Sequence, residues 1–234
     1  MTGSGVDPAR PAHLVAVLGT GTEVGTTWVA ARALAAAHAA GLAVEARKPA
    51  QSAEPDDPAP SDADVLAAAT GEDPLAVCPG HRRYDVAMAP PMAAAVLGRP
   101  AFTVADLVAE VTWAGATDVG LVETAGGVLS PAAADGTSLD LAAALVPDEV
   151  VLVADAGLGT INGVRLSLAA MTAHLGLWAA TVTVVLNRYD EVDCLHRANR
   201  TVLEADARAA VATGARQGPG IVTDTGALVE RWRI

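Results

Sequence analysis

A run of glycine and threonine near the start of the chain has the composition of a phosphate-binding loop. Residues 19–27 read GTGTEVGTT and lie between an apolar run and an alanine-rich helical pattern. Glycines let backbone N–H groups converge on a phosphate, and the N-terminus of the next helix adds positive potential. Thr27 would supply the hydroxyl that holds Mg²⁺ in such loops. A strand-to-helix turn without a ligand is the alternative that the loop alone leaves open.

Threonine stands where the familiar phosphate loop carries lysine. The chain has Gly25-Thr26-Thr27 in place of Gly-Lys-Thr. A hydrogen bond to a charged group contributes about 1.5–3 kcal/mol, which corresponds to a ten- to hundredfold change in affinity. A cation at a phosphoryl-transfer transition state is worth on the order of 10³–10⁵ in rate. We therefore expect nucleotide binding to survive at Thr26 and turnover to be slowed.

A single lysine, Lys48, stands among fifteen basic residues, and the others are arginine. It follows a predicted strand and precedes Pro49. Lysine places a compact ammonium on a flexible stem, which the planar fork of arginine does not replace. A solvated surface lysine is the alternative. Beside a phosphate loop, we interpret Lys48 as an active-site cation.

Two carboxylates are placed to approach the same loop. Asp62 opens a predicted helix, and Glu123 ends a predicted strand just before Thr124-Ala-Gly-Gly127. Mg²⁺ prefers oxygen ligands and keeps several waters, so this pair suits it. Asp62 can alternatively serve only as a helix cap. Glu123 needs a partner, because an isolated charge at the end of a buried strand is costly.

Two later loops complete the candidate site. Residues 155–162, DAGLGTIN, form a strand-to-helix loop whose N–H groups could bind a substrate carboxylate. Asn187 follows the last predicted strand and can read the edge of a nucleotide base. Ordinary turn chemistry explains Asn187 equally well.

The elements that must position these residues alternate between strands and helices. Predicted strands cover residues 13–18, 42–46, 119–123, 149–154 and 180–186, and predicted helices cover 27–40, 62–70, 103–113, a segment capped by Ser138, and 162–175. Residues 51–61 are predicted to be an exposed loop, and residues 72–91 fit no pattern. Alternation predicts a three-layer, doubly wound α/β fold with a mostly parallel sheet. In such sheets ligands bind beyond the carboxyl ends of the strands, where all the candidate residues fall.

Composition bounds the domain organisation and the partners. We expect one domain at residues 13–234, preceded by a flexible tail at residues 1–12. The formal net charge of −12 argues against nucleic acid and against anionic membranes, which attract basic surfaces. Cys78 and Cys194 lack metal-ligand spacing and are expected to be reduced. With no apolar segment in the tail, the sequence predicts a cytoplasmic protein.

The ordered set of motifs resembles dethiobiotin synthetase, a family related to the P-loop NTPases. The matching segments, within about residues 13–190, are 19–27 GTGTEVGTT, 48–52 KPAQS, 61–63 SDA, 122–127 VETAGG and 157–162 GLGTIN. The resemblance implies a P-loop NTPase-like fold and an ATP-dependent cyclo-ligase with Mg²⁺. It implies that 7,8-diaminopelargonate and CO₂ form a carbamate, which takes the γ-phosphoryl group of ATP before the neighbouring amine closes the ring. It also implies a homodimer with substrate near the subunit interface.

The resemblance carries residue roles as well. Thr27, Asp62 and Glu123 match Mg²⁺ ligands, Lys48 matches the catalytic lysine, and Ser52 matches a substrate contact. The positions that match nucleotide-contacting residues are Glu23, Val24, Gly25, Thr26, Thr27, Trp28, Asp62, Glu123, Gly126 and Asn187.

Three positions depart from the family pattern. Thr26 replaces the loop lysine, Thr124 replaces a glycine and is expected to crowd the phosphate side, and Gly163 replaces a histidine on the substrate side. A slowed synthetase is the first hypothesis. A non-catalytic nucleotide- or partner-binding homologue is the second. A related ligase that acts on a different small carboxylate is the third.

Overall fold

The computed structural model of the chain describes residues 10–175, 181–212 and 219–232. Its strands, in chain order, are β1 (His13–Gly19), β2 (Val44–Arg47), β3 (Gln51–Ser52), β4 (Arg83–Tyr84), β5 (Val119–Gly127), β6 (Pro131–Ala133), β7 (Gly136–Thr137), β8 (Glu149–Asp155), β9 (Thr181–Asn187) and β10 (Gly220–Val222). Its α-helices are α1 (Thr26–Ala39), α2 (Asp62–Thr70), α3 (Pro74–Val77), α4 (Pro90–Val96), α5 (Val104–Glu110), α6 (Ser138–Leu145), α7 (Thr160–Leu175), α8 (Cys194–Ala212) and α9 (Gly226–Trp232). A 3₁₀ turn covers Gly80–Arg82.

Six of the described strands form one sheet in the order β10-β9-β8-β1-β5-β2, and every pairing in it is parallel. The central strand, β1, is built from Leu, Val and Ala, as a strand covered on both faces requires. Val15 pairs with Leu121 of β5 on one side and with Glu149 of β8 on the other. The predicted parallel α/β sheet is confirmed.

Helices cover both faces of this sheet. On one face α1 and α2 pack through alanines and leucines, including Ala33 and Leu66, with Trp232 of α9 in the same apolar cluster. On the other face Leu139 of α6, Val164 of α7 and Leu203 of α8 pack against β1, β8 and β9. These two clusters make the predicted three layers. No helix within the described part of the chain is long and apolar enough to cross a membrane.

Several element boundaries differ from the sequence prediction. β5 continues to Gly127, so residues 124–127 belong to a strand and do not form the expected glycine loop. α5 ends at Glu110, three residues before its predicted end. Beyond the end of α5, Trp113 packs against the guanidinium of Arg47, whose carbon lies 4.8 Å from the ring centre, a tertiary contact that the helical pattern did not reveal.

Two helix caps also differ from the prediction. Thr137, and not Ser138, caps α6, because its side chain forms a reciprocal capping box with Asp140. Ser61 caps α2 through the same arrangement with Asp64, so Asp62 is not the cap and its side chain is free to serve the site. The bounds predicted for α2 are confirmed.

Two segments expected to be unstructured are partly ordered by contacts. Within the predicted loop at residues 51–61, Gln51 and Ser52 form β3, which pairs with β4. At the end of the predicted tail, Arg10 donates to the carboxylate of Asp148 at 3.0 Å and the backbone of Ala12 donates to the carbonyl of Thr117. The rest of that tail, residues 1–9, lies outside the described residues.

Candidate active site

Parallel register brings Lys48 beside Glu123. Arg47 of β2 lies opposite Val122 of β5, and Lys48 and Glu123 are the next residues along the chain. The Lys48 ammonium lies 2.9 Å from Glu123 Oε1 and 2.7 Å from Asp62 Oδ2. Asp62 reaches this point as the first residue of α2. Three charged residues that are distant in sequence therefore meet at the carboxyl edge of the sheet.

Two hydroxyls from the phosphate loop join the same cluster. Thr27 Oγ1 lies 2.7 Å from Glu123 Oε1 and 2.9 Å from Asp62 Oδ1. Thr26 Oγ1 lies 2.8 Å from Glu123 Oε1. A hydroxyl carries one hydrogen, so Thr27 donates to one carboxylate at a time while its oxygen faces both. The start of α1 is thereby fixed to β5 and α2.

Burial makes the charges of this cluster interact strongly. Lys48 is 2% exposed and Glu123 is fully buried. Burial alone would lower the pKa of Lys48, but the carboxylates of Glu123 and Asp62 raise it above its ordinary value. Burial alone would raise the pKa of Asp62, but Lys48 and the Thr27 hydroxyl hold it below its ordinary value. Lys48 and Asp62 are therefore both charged at neutral pH.

The cluster retains capacity for a cation. One ammonium and two carboxylates leave a net negative charge, and the second oxygen of Glu123, Oε2, is buried without a partner among the described residues. Carboxylate and hydroxyl oxygens are the ligand types that Mg²⁺ prefers. The residues present therefore fit a Mg²⁺ ion at Thr27, Asp62 and Glu123.

The phosphate loop is held from behind by β9. Asn187 Nδ2 donates to the carbonyl of Val24 at 2.8 Å. Gly25 has a φ of 87°, and a Cβ added there would lie 2.2 Å from Asn187 Nδ2. A side chain at position 25 is therefore excluded both by backbone conformation and by space.

The remaining candidate residues lie around this loop. A Cβ added to Gly126 would lie 3.8 Å from the methyl carbon of Thr22, so Gly126 lies against the phosphate loop. Trp28 is about half exposed at the start of α1, with the guanidinium carbon of Arg32 4.9 Å from its ring centre. Ser52 lies in β3 and donates to the carbonyl of Met88. The structure thus brings Gly126 to the phosphate loop, whereas the hydroxyl of Ser52 turns toward the segment before α4.

Two of the three departures from the family pattern are accommodated locally. Thr124 is buried, and its hydroxyl donates to the carbonyl of Val17 in β1 at 3.4 Å, so it points into the sheet. The expectation that Thr124 crowds the phosphate side is wrong, because successive strand residues alternate between faces and Glu123 occupies the face of the site.

A Cβ on Gly163 would lie 3.6 Å from the Cβ of Thr20, which is ordinary contact. A methyl group therefore fits at position 163.

The sequence prediction missed three residues that shape the site. Gln51 accepts a hydrogen bond from the backbone of Ala63 and so positions the start of α2. Arg188 donates to the carbonyl of Glu23 in the phosphate loop. Asn199 donates to the carbonyls of Ala156 and Gly157 after β8. Arg188 adjoined a candidate residue and Gln51 lay within the matching segment 48–52, and both were usable signals. Nothing in the sequence pattern marked Asn199.

Comparison with known proteins adds family relationships to this geometry. A family model described as an AAA domain matches residues 13–213. The ATP-dependent dethiobiotin synthetase BioD of Caulobacter vibrioides is 41% identical over 72% of this chain and 77% of its own length. The protein of the same name from Rhodococcus jostii is 37% identical over 94% of each chain.

A solved structure supports the fold alone. The crystal structure of a putative plasmid partition protein from Borrelia burgdorferi bound to AMPPNP covers 92% of this chain and 88% of its own, with a TM-score of 0.53 and 10% identity. At that identity the likeness extends to the arrangement of strands and helices and not to the chemistry.

Proposed function

We propose, from the premise that this chain belongs to the dethiobiotin synthetase family, that it closes the ureido ring of dethiobiotin from 7,8-diaminopelargonate, CO₂ and ATP. The single observation that carries this proposal is the buried cluster in which Lys48 contacts Asp62 and Glu123 at 2.7 and 2.9 Å beside the phosphate loop. A buried ammonium at a phosphate loop suits a reaction in which anionic partners must approach each other.

The reaction proceeds through an activated carbamate. One amine of the substrate adds to CO₂ and loses a proton, which gives a carbamate. A carbamate oxygen attacks the γ-phosphorus of ATP, and the bond to the β-phosphate oxygen breaks to release ADP. The second amine then attacks the carbamoyl carbon, loses a proton and expels phosphate as the ring closes.

In this proposal, different residues of the chain stabilise different charges of the reactants. Lys48 offsets negative charge on the carbamate and on the transferring phosphoryl group. Thr27, Asp62 and Glu123 would hold Mg²⁺, which when bound neutralises charge on the phosphates. The N–H groups of the phosphate loop orient the nucleotide, with Glu23 to Trp28 and Gly126 along its path and Asn187 near the base. Ser52 is the substrate contact in this proposal.

A single ammonium serves the reaction where the familiar loop would add a second. Thr26 supplies a hydroxyl to Glu123 and no positive charge. The proposed enzyme therefore binds nucleotide through backbone N–H groups and Mg²⁺, and its phosphoryl-transfer step is slower than that of a loop with lysine.

We also propose that the active form is a homodimer with the substrate near the subunit interface. The loop after β8 supports this proposal, because Leu158 at its tip is 92% exposed and a large apolar side chain is costly to leave in water. Sedimentation velocity tests it: we expect twice the chain mass for the protein and a shift toward the monomer for Leu158→Asp. A monomeric wild-type protein that closes the ring would contradict it.

ATP as a co-substrate supports a cytoplasmic location, and the other partners are the small molecules diaminopelargonate and CO₂. No role for nucleic acid or a membrane is proposed, in keeping with the net charge of −12.

Product identification tests the proposed reaction. Purified protein is incubated with diaminopelargonate, labelled bicarbonate, Mg²⁺ and ATP, and the label is followed into dethiobiotin by mass spectrometry. We expect one labelled carbon per ring and one ADP per product. ATP binding without labelled product would contradict the proposal and favour a non-catalytic homologue, whereas labelled product from another diamine would change the substrate.

A further inference from the structure

Arg188, directly after β9, touches two loops at once. Its Nη2 donates to the carbonyl of Glu23 in the phosphate loop at 3.0 Å. Its Nη1 donates to Asp155 Oδ2, at the end of β8, at 2.8 Å. The backbone of Arg188 has a φ of 57°, a left-handed conformation that costs free energy for a residue with a side chain. The contacts made by the guanidinium offset that cost.

Two consecutive residues donate hydrogen bonds to two consecutive carbonyls of the phosphate loop. Asn187 binds the carbonyl of Val24, and Arg188 binds the carbonyl of Glu23. In a trans peptide the C=O and the following N–H point in opposite directions. The N–H groups of Val24 and Gly25 therefore point away from the side chains of Asn187 and Arg188. Within the described residues, neither of these N–H groups finds an acceptor.

The same arginine reaches the loop on the substrate side. Asp155 accepts from Arg188 with one oxygen and from the N–H of Gly157 with the other. Asn199 fixes the next carbonyls of that loop, those of Ala156 and Gly157. Arg188 thus joins an already fixed loop to the phosphate loop.

We propose that Arg188 is a positioning residue for nucleotide binding, which it supports by orienting the N–H groups of Val24 and Gly25 and by joining the phosphate loop to Asp155. The inference rests on the proposed use of ATP at this loop. The orientation of these N–H groups matters more in this chain because Thr26 stands where a lysine would otherwise contact the phosphate. Arg188 itself need not touch the nucleotide.

Two variants separate positioning from folding. Arg188→Ala removes both contacts and keeps the left-handed strain. Arg188→Gly removes both contacts and relieves that strain, so it is expected to fold with an unchanged melting temperature. Arg188→Lys retains the positive charge, but it lacks the planar fork with which arginine reaches both acceptors. We therefore expect its affinity for nucleotide to lie between that of Arg188→Ala and that of the wild type.

A matched control exists in the same protein. Arg165 pairs with Asp206 through two hydrogen bonds on the surface between α7 and α8. Its side chain is 58% exposed and that of Arg188 is 60% exposed. Arg165→Ala therefore removes a comparable exposed ion pair without touching the phosphate loop.

Calorimetric titration with Mg-ATP is the test. We expect Arg188→Ala and Arg188→Gly to bind about three- to tenfold more weakly than the wild type, a modest loss because the ion pair is exposed. Asp155→Asn should weaken binding less, and its effect should not add to that of Arg188→Ala. Arg165→Ala should bind as the wild type does.

The outcomes distinguish this inference from the proposed function. If the wild type binds Mg-ATP and forms product while Arg188→Gly binds equally well, the positioning role is overturned and the synthetase proposal stands. If the effects of Arg188→Ala and Asp155→Asn simply add, the link between the two loops is overturned. If the wild type binds no nucleotide, both proposals fall together.

Discussion

At the scale of single residues, the proposed function depends on where positive charge lies around the phosphate loop. Lys48 provides a buried ammonium from β2's end, whereas Thr26 provides only a hydroxyl within the loop. The Lys48 charge is held by two carboxylates, which also suit Mg²⁺. The protein is therefore expected to retain the chemistry of the reaction with less electrostatic stabilisation than a loop with lysine would give.

Restoring the loop lysine tests this view. In Thr26→Lys, a second ammonium would reach the phosphate region and pair with Glu123, in place of the Thr26 hydroxyl. We expect Mg-ATP to bind roughly ten- to hundredfold more tightly, since a charged hydrogen bond is worth about 1.5–3 kcal/mol. The measurement is calorimetric titration, with Thr26→Ala as the control that adds no charge. Equal affinity in Thr26→Lys and Thr26→Ala would show that charge at position 26 is not limiting.

Some residues of the site were predictable and others were not. Lys48 was identifiable because it is the only lysine, and Thr27, Asp62 and Glu123 because their motifs follow in order. Arg188 was not identified, because thirteen other arginines share its residue type and its contacts depend on how two separate loops fold together. Thr124 was misjudged because a strand continues through its position and turns its side chain into the sheet.

At the scale of elements, the site depends on the turn between β1 and α1. Gly25 ends that turn in a left-handed conformation, and Asn187 fills the space beside it. The loop is thus shaped from two sides, by its own glycines and by the end of β9.

Adding one methyl group to the loop tests this dependence. Gly25→Ala would place a Cβ 2.2 Å from Asn187 Nδ2 and force an alanine to a φ of 87°. We expect Mg-ATP binding to be lost while far-UV circular dichroism is retained, because the strain is local. Gly163→Ala is the matched control: its Cβ has room, and alanine in a helix is about 0.5–1 kcal/mol more favourable than glycine. Wild-type affinity in Gly25→Ala would contradict the described loop geometry.

Local sequence signals predicted some elements well. α2 was predicted with its bounds at residues 62–70, although the capping box of Ser61 and Asp64 that begins it was not identified from the sequence. β5 was predicted too short, because Thr124-Ala-Gly-Gly127 has the composition of a loop, and only pairing with β1 makes it a strand. Residues 72–91 yielded no prediction, because their short elements are fixed by tertiary contacts such as β3 with β4.

At the scale of the whole molecule, a second buried carboxylate holds the opposite end of the sheet together. Glu149 starts β8, is nearly inaccessible, and accepts hydrogen bonds from Thr183 at 2.5 Å and from the Trp232 indole at 3.0 Å. Trp232 belongs to α9, which packs in the same apolar cluster as α1. The C-terminal helix is thereby connected to the helix that begins at the phosphate loop.

The lowered pKa of the Glu149 carboxyl predicts that the stability of the fold depends on pH. Burial alone would raise the pKa of Glu149, but the His13 ring, the Thr183 hydroxyl and the Trp232 indole hold it below its ordinary value. A lowered pKa stabilises the fold above the unfolded value of about 4.3, and that contribution is lost as the pH falls through the folded value. Glu149→Gln should lower the free energy of unfolding at pH 7 by about 1–3 kcal/mol. The difference from the wild type should shrink below about pH 4.3.

Urea denaturation of the wild type and Glu149→Gln between pH 3.5 and 7 measures this difference. A constant difference across the whole range would mean that Glu149 does not titrate with folding.

The overall architecture was the most predictable level. Alternating strands and helices predicted the parallel three-layer sheet, which the structure confirms, and the ordered motifs predicted the family, which the relatives confirm. The segment after residue 193 carried no recognisable motif. Its contribution through α8, β10 and α9 comes from packing, and packing leaves no short signature in the sequence.

The proposed function requires the buried ammonium of Lys48 to promote an ATP-dependent ring closure. It is tested most directly by diaminopelargonate-dependent phosphate release with saturating Mg-ATP and bicarbonate, for the wild type and for Lys48→Ala shown to be folded by its urea transition. We expect measurable release by the wild type and a rate lower by a factor on the order of 10³ or more in the variant. Equal rates in the two proteins would contradict it.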